Sequence, residues 1–500
     1  MQTSLATLAD WGTEHLERVV AIDSASDETS TTIPSSEGQR KLAEVLAGML
    51  RELGCRCDSD ASANLIATIP ASKGCEHKQK LALMVHMDTA HGTQAVPKLH
   101  VVTAWAGARI PYPKNDRLHV DAKSYPLLQA FVGDDVLHGP GDFPFGLDDK
   151  LGMAELLTLA KLLHQEPDIA HGELLLVFRP DEEIGRMEAV VGLAQELKRR
   201  GVTLGYTVDG LSPFEVNVEN FDAARVRVRI PAKPLALPAG QRAWRVHVNG
   251  VNTHGATAKS EGYLNATTVF ARANVGVPLA FHSDNLLECN AVVDVAGDES
   301  AIRAAFEAVV ASAKLRGAGV AVSALELPKH VDDAALQLRA LLTRFLDGTG
   351  PTPLLSEDSD GYEGYSNAHR AVRDGDTLVV DFRLRDFSRP ALAKRAAHVV
   401  QCAAELGLGA VVEQQYVNMG PTLARFPDAP RLALEAAARA GVVPERRPIR
   451  GGTGVDPFLA VGIPVANVGT GYFAPESEKE LTSRQNIARH AHWLMELVRA

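Results

Sequence analysis

The chain has 500 residues, more than one hydrophobic core usually organises, so the starting expectation is two domains or one domain carrying a long insertion. Apolar residues make up 46% and charged residues 23%, a balance that excludes intrinsic disorder. The net charge of -11 comes without any basic block, which excludes a nucleic-acid phosphate backbone as the main partner, and no apolar run approaches the roughly 18 residues that span a bilayer.

From Met1 to about Val20 there is no basic start followed by an apolar stretch, so a cytoplasmic protein without a secretory signal is expected. Trp11 to Val20 and Gly38 to Leu53 read as amphipathic helices, and Asn64 to Ile69, Lys80 to Val85 and Glu173 to Phe178 as strands. The last two are nearly continuous in apolar residues, as central strands are. Leu151 to Leu163 places Met153, Leu156, Leu157, Ala160 and Leu163 on one helical face, and Gly205 to Val208 is another short strand. This order fits an α/β sheet. From about Phe214 the pattern alternates, with strands at Ala224 to Ile230 and Ala243 to Val248 and a helix near Asn265 to Asn274, as in an antiparallel sheet with one wet face.

A segment from about His282 to Arg373 carries its own strand, helix and strand (Asn290 to Val295, Ala301 to Leu315, Gly319 to Leu325) and a helix near Asp332 to Leu346, and then an acidic, Gly-rich stretch, Gly348 to Gly364. Thr377 to Arg385, Pro390 to Leu406 and Ala410 to Val417 complete an α+β unit, and the α/β style returns from about Phe426. The cysteines Cys55, Cys57, Cys75, Cys289 and Cys402 have spacings that fit neither a disulfide framework nor a zinc finger, and read as reduced thiols.

Four short motifs concentrate the chemistry. Strand side chains alternate, so His86 and Asp88 of His86-Met87-Asp88 point to the same side at a strand's carboxyl end, where open α/β sheets place their sites. In Gly146-Leu147-Asp148-Asp149-Lys150 a carboxylate stands just before a helix, where it serves equally well as metal ligand or helix cap. Adjacent glutamates in Pro180-Asp181-Glu182-Glu183-Ile184-Gly185 repel at a buried strand end unless a cation lies between them or one holds a proton; at the surface they are simply solvated. Tyr206-Thr207-Val208-Asp209-Gly210 adds an acid after a short strand. Together the four supply an imidazole and several carboxylates, the donor mix of two Zn²⁺ ions about 3.5–4 Å apart with one bridging carboxylate. One glutamate of the neighbouring pair would then be left to take a proton from water.

In these motifs and their order the chain resembles the peptidase T family of tripeptide aminopeptidases, in a superfamily that includes carboxypeptidase G and aminoacylase-like hydrolases. The resemblance begins at Pro34-Ser35-Ser36-Glu37-Gly38-Gln39, runs through the four motifs, and resumes at Glu219-Asn220-Phe221, Thr253-His254-Gly255, Thr257-Ala258-Lys259, Arg385-Asp386-Phe387 and Pro448-Ile449-Arg450-Gly451-Gly452-Thr453. It implies a zinc-exopeptidase-type α/β catalytic domain, with a central mixed sheet flanked by helices, in residues 1–213 and 421–500. It also implies an inserted α+β lid domain, residues 214–420, here enlarged by the extra β-α-β segment of about 282–373. By the same resemblance His86 and Asp209 would hold one metal, Asp148 would bridge and Glu183 would hold the other. Glu182 would be the general base, Asp88 would orient His86, and His254 would polarise the scissile carbonyl. Arg385 and Arg450 would bind a substrate carboxylate, Arg385 alternatively pairing with Asp386 or a neighbour on the sheet. A short peptide as substrate and a homodimer through the lid are further expectations.

Two departures bear on the assignment. Where the family places a His ligand shortly after a Gly-Tyr pair, Gly471-Tyr472-Phe473-Ala474-Pro475-Glu476-Ser477-Glu478-Lys479-Glu480 contains none, and Glu476 falls at the ligand's position. A carboxylate there, if it is not merely a solvated loop residue, makes the second site harder and more anionic, so that manganese or cobalt joins zinc as a candidate. In addition, Gly454 stands where an acidic residue is expected, and Asp456 comes two later. Three readings follow: a tripeptidase-like aminopeptidase, a related amidohydrolase or carboxypeptidase acting on N-acyl amino acids or dipeptides, and a non-catalytic binding protein with a degenerate second metal site.

Overall fold

Leu81–His86, Leu174–Arg179 and Leu204–Val208 are buried at every residue, as near-continuous apolar runs require of strands covered on both faces. The structure, a computed structural model, describes residues 1–210, 212–250, 264–283, 290–312, 318–346 and 364–500. The chain divides into two units, Met1–Asn220 with Asn418–Ala500, and Phe221–Val417. No described helix is long and apolar enough to cross a membrane. Cys55, Cys57, Cys75 and Cys402 are free thiols; Cys289 lies outside the described residues.

The first unit is built on a mixed sheet in the order Arg56–Ser59, Leu65–Ile69, Leu174–Arg179, Leu81–His86, Leu204–Val208, Val465–Val468, Glu215–Asn217 and Glu445–Arg446. The strands from Leu174–Arg179 to Val465–Val468 run parallel, and their neighbours on either side pair antiparallel. Helices Leu5–Val20, Leu147–Gln165 and Arg484–Val498 pack on one another. Gly12 makes the closeness possible, since a Cβ there would meet Ile487 Cγ2 at 2.3 Å. A smaller antiparallel sheet, Leu481–Ser483, Val136–His138 and His100–Val102, covers a separate apolar cluster that includes Trp105, Tyr112, Phe131 and Phe473. The sequence patterns assign none of this sheet, because strands of three residues leave no periodicity to read.

The second unit holds two antiparallel four-stranded sheets. One runs Val277–His282, Ala291–Ala296, Ala243–Asn249, Gly319–Leu325; the other runs Tyr365–Asp374, Thr377–Asp386, Asp222–Pro231, Gly409–Tyr416. The segment expected as an addition is therefore woven in. Its strands Ala291–Ala296 and Gly319–Leu325 flank Ala243–Asn249 on both sides, and Tyr365–Asp374 pairs with Thr377–Asp386. One apolar cluster serves both sheets, with Val226, Val246, Val293 and Phe382 all buried in it.

His15, on the first helix, is buried against Leu147–Gln165. Thr158 Oγ1 donates to the Ala154 carbonyl, so His15 Nδ1–H is the donor in its 3.0 Å bond to that oxygen. Burial, then the charges of Lys161 and Arg18, lower the His15 pKa from 6.5 to about 3. The unfolded chain thus takes up a proton that the folded chain refuses, and this contribution to stability, complete above pH 6.5, shrinks as pH falls toward 3. His15→Gln is expected to shallow the acid limb of stability by up to about 1.4 kcal/mol per pH unit in that window, measured by urea unfolding between pH 7 and 4. An unchanged slope would contradict the burial argument.

Candidate metal centre

Parallel pairing sets His86 opposite Arg179 and Met84 opposite Thr207, so three buried strands end along one edge. They hand over there to His86-Asp88, to Asp181–Glu183 and to Asp209. The fourth contributor comes from a helix start. Gly146 is left-handed (φ 82°), Asp148 and Asp149 have non-helical dihedrals, and the regular helix begins only after them. Asp148 Oδ1 accepts from His86 Nε2 at 2.9 Å, so this carboxylate faces the imidazole. Gly152 lets this first turn approach the sheet, since a Cβ there would lie 2.2 Å from the Val208 carbonyl and 2.4 Å from Asp149 Oδ1.

Two groups of ligand atoms result, each with all its members within 4.8 Å of one another: His86, Asp148 and Asp209; and Asp148, Glu183 and Glu476. Asp148 belongs to both. Electrostatics show the cost of the arrangement. Burial, then the charges of Asp148 and Glu476, raise the Glu183 carboxyl well above the ordinary range, and burial with Asp148 raises Asp209 to about 7. Burial alone would keep His86 neutral, but the bonds to Asp148 and Asp88 outweigh it and favour the imidazolium.

Buried bonds fix the loops that carry these candidate ligands. Tyr472 Oη donates to Asp209 Oδ1 at 3.0 Å, leaving Oδ2 facing His86 Nε2 at 3.8 Å. His86 Nδ1 bonds the main-chain carbonyl of Asp88 at 2.9 Å and stands 3.6 Å from its carboxylate. That carboxylate accepts the backbone N–H groups of Glu182 and Glu183 at 2.9 and 3.0 Å, so Asp88 shapes the glutamate turn as well as facing the imidazole. Asp181, fully buried with φ 54°, accepts from Ser35 N, from Ser35 Oγ at 2.5 Å and from Gln39 Nε2 at 2.8 Å, which gives the Pro34–Gln39 motif its physical role. Glu480 joins two ligand loops. Its Oε2 accepts from the N–H groups of Phe145 and Gly146 at 2.9 and 2.8 Å, and Oε1 accepts from Glu476 N at 2.8 Å.

The sequence reading missed Glu480 and Tyr472 as supports. A carboxylate four residues after a candidate ligand, and the tyrosine of the Gly-Tyr pair, were the available signals. Among the other expected residues, Arg450 is half-buried on the loop that begins where Ile449 bridges to Asn220. Arg385 belongs to the second unit; its Nη1 bonds Gln415 Oε1 at 2.9 Å and its guanidinium lies over Tyr416, while Asp386 pairs with Arg395 instead. His254 lies outside the described residues. Glu480→Gln puts an amide among backbone donors, and it is expected to weaken the affinity of the candidate centre for divalent cations by about tenfold in a calorimetric metal titration. Unchanged affinity would contradict this placement of Glu480.

No family model matches the chain. It is 27% identical to peptidase T of Aeromonas salmonicida and 24% identical to peptidase T of Geobacillus thermodenitrificans, in each case over 97% of both chains. Its fold is shared by the aminopeptidase PepT from Bacillus cereus (17% identity, TM-score 0.52) and the aminoacylhistidine dipeptidase from Vibrio alginolyticus (15% identity, TM-score 0.55), each matched over at least 98% of both chains. The chain is similar to the peptidase T proteins in sequence over nearly its whole length, and it shares the fold of the Bacillus cereus aminopeptidase.

Proposed function

We propose that the protein is a metal-dependent exopeptidase that cleaves the N-terminal peptide bond of short peptides. The observation that carries this reading is the membership of Asp148 in both groups of converging ligand atoms. The residues fit a pair of cations: Glu183 Oε1 is buried with no hydrogen-bond partner among the described residues, and the raised carboxyls of Glu183 and Asp209 mark a cluster short of positive charge. His86, Asp148 and Asp209 would hold one ion, and Asp148, Glu183 and Glu476 the other.

Two divalent cations, when bound, supply the Lewis acidity that polarises the scissile carbonyl and makes water nucleophilic near neutral pH. Glu182 belongs to neither ligand group, and its carboxylate takes the proton from the attacking water and delivers it to the leaving amine as the C–N bond breaks. Asp88 fixes the turn from which Glu182 projects. Arg450 and Arg385 bind the substrate carboxylate in this reading, and His254 stabilises the developing oxyanion. The imidazole in the first site suits zinc, whereas the second offers only oxygen donors and suits manganese. A cytoplasmic location and a homodimer through the second unit belong to the same proposal.

Glu182→Ala is expected to keep fold and metal content and to lose turnover of a tripeptide by about 10²- to 10⁴-fold. Wild-type turnover in that variant would remove Glu182 as base. A tripeptide with a free amino end should be hydrolysed in preference to its acetylated form, and the reverse preference would move the assignment to an N-acyl amino acid hydrolase. Glu476→His should shift the second site from manganese toward zinc in competitive metal binding; no shift would mean that Glu476 is not a ligand.

A further inference from the structure

The acidic residue that peptidase T resemblance leads one to expect after Gly451-Gly452-Thr453 is replaced here by Gly454. Gly454 has φ 55°, and a Cβ at that position would lie 2.1 Å from Nη1 of Arg179 and 2.9 Å from its Cζ. A guanidinium fills the space that an acidic side chain would enter.

Arg179 closes the strand Leu174–Arg179 and is only 2% exposed. A guanidinium buried so deeply is costly unless its donors are met. Nη1 donates to the Gly454 carbonyl at 3.0 Å and Nη2 to the Thr453 carbonyl at 2.7 Å, while the buried Nε has no hydrogen-bond partner among the described residues. The same Nη2 stands 3.6 Å from Glu182 Oε1, and the Arg179 carbonyl accepts the backbone N–H of Met87 at 2.8 Å. One residue therefore ties together the His86–Asp88 turn, the turn bearing Glu182 and the loop bearing Arg450. At 3.6 Å the charge attracts the Glu182 carboxylate without a close hydrogen bond.

We propose that Arg179 is a positioning residue for Glu182, holding that carboxylate in fixed relation to the Thr453–Gly454 loop, and that Gly454 is the residue that makes room for it. This rests on the reading of Glu182 as the base. Lysine could not replace it, because only the planar fork reaches two carbonyls and a carboxylate together.

Two double-mutant cycles test the proposal. In the first, Gly454→Ala should lower the thermal unfolding midpoint in the wild-type chain and lower it less in an Arg179→Ala chain, where the clashing atoms are gone and only the backbone strain at φ 55° remains. Additive losses would overturn the pairing of the two residues. In the second, Arg179→Ala should lower kcat by about tenfold or more with metal content kept and KM little changed, and should cost no further turnover when added to Glu182→Ala. A further loss of about tenfold in the Glu182→Ala chain would show that Arg179 acts through the scaffold at large, and would overturn the proposal. Unimpaired turnover in Glu182→Ala alone would instead overturn the catalytic reading, while the unfolding cycle would still report on the steric pair. Both cycles can be run with Arg179→Lys, which keeps a cation but loses the fork, so that an alanine variant that fails to fold does not obscure the outcome.

Discussion

Carboxylates from four parts of the chain converge on one edge of a buried sheet, and like charges at such separations repel by roughly 4 kcal/mol per pair at an effective dielectric constant of about 20. Asp148, Glu183, Asp209 and Glu476 crowd their charges together there, and burial first, then the neighbouring charges, push the carboxyls of Glu183 and Asp209 up. The rest of the first unit can be understood as the means of holding this unfavourable cluster in place. Three strands end in register, a helix start is pressed against them through Gly152, and buried bonds prevent the ligands from turning away.

Those bonds share a pattern. Each ligand-bearing loop is tied by a side chain from another loop: Asp88 to the backbone of Glu182 and Glu183, Ser35 and Gln39 to Asp181, Tyr472 to Asp209, and Glu480 to the residues before Asp148 and to Glu476. Anchoring at the backbone fixes where a side chain starts, and the neighbouring side chain fixes where it ends. The geometry of the centre is thus a property of the set of loops, and no single loop contains it.

Much of the scaffold was legible in the residues. Apolar runs located the central strands to within one residue, with Lys80 to Val85 expected and Leu81–His86 found, because a strand buried on both faces leaves an unbroken signal. The stretch from about 91 to 145 gave no such signal. Its strands have three residues, and much of it is held by bonds such as Asn115 Nδ2 to the Gly141 carbonyl and Trp105 Nε1 to the Ala108 carbonyl, which have no period. The candidate ligands were legible as residue types at strand ends, but their supports were not. Glu480 and Arg179 act on backbone atoms remote in sequence, and neither composition nor spacing records such a partner. The weaving of 282–373 into both sheets of the second unit was also hidden, since an alternating strand shows which face is buried and not which strand lies beside it.

The strand Val465–Val468 lies between Leu204–Val208 and Glu215–Asn217 in the sheet, although the whole second unit separates it from them in sequence. On the ribosome, Leu204–Val208 emerges first and its outer edge stays unpaired until Val465–Val468 follows, an interval in which an apolar strand edge is open to wrong partners. Tyr472, Glu476 and Glu480 arrive later still. Biosynthesis therefore delivers Glu476 last of the candidate ligands, and a nascent chain halted inside the second unit would have His86, Asp148, Glu183 and Asp209 already made but not the residue that completes the second group of donors.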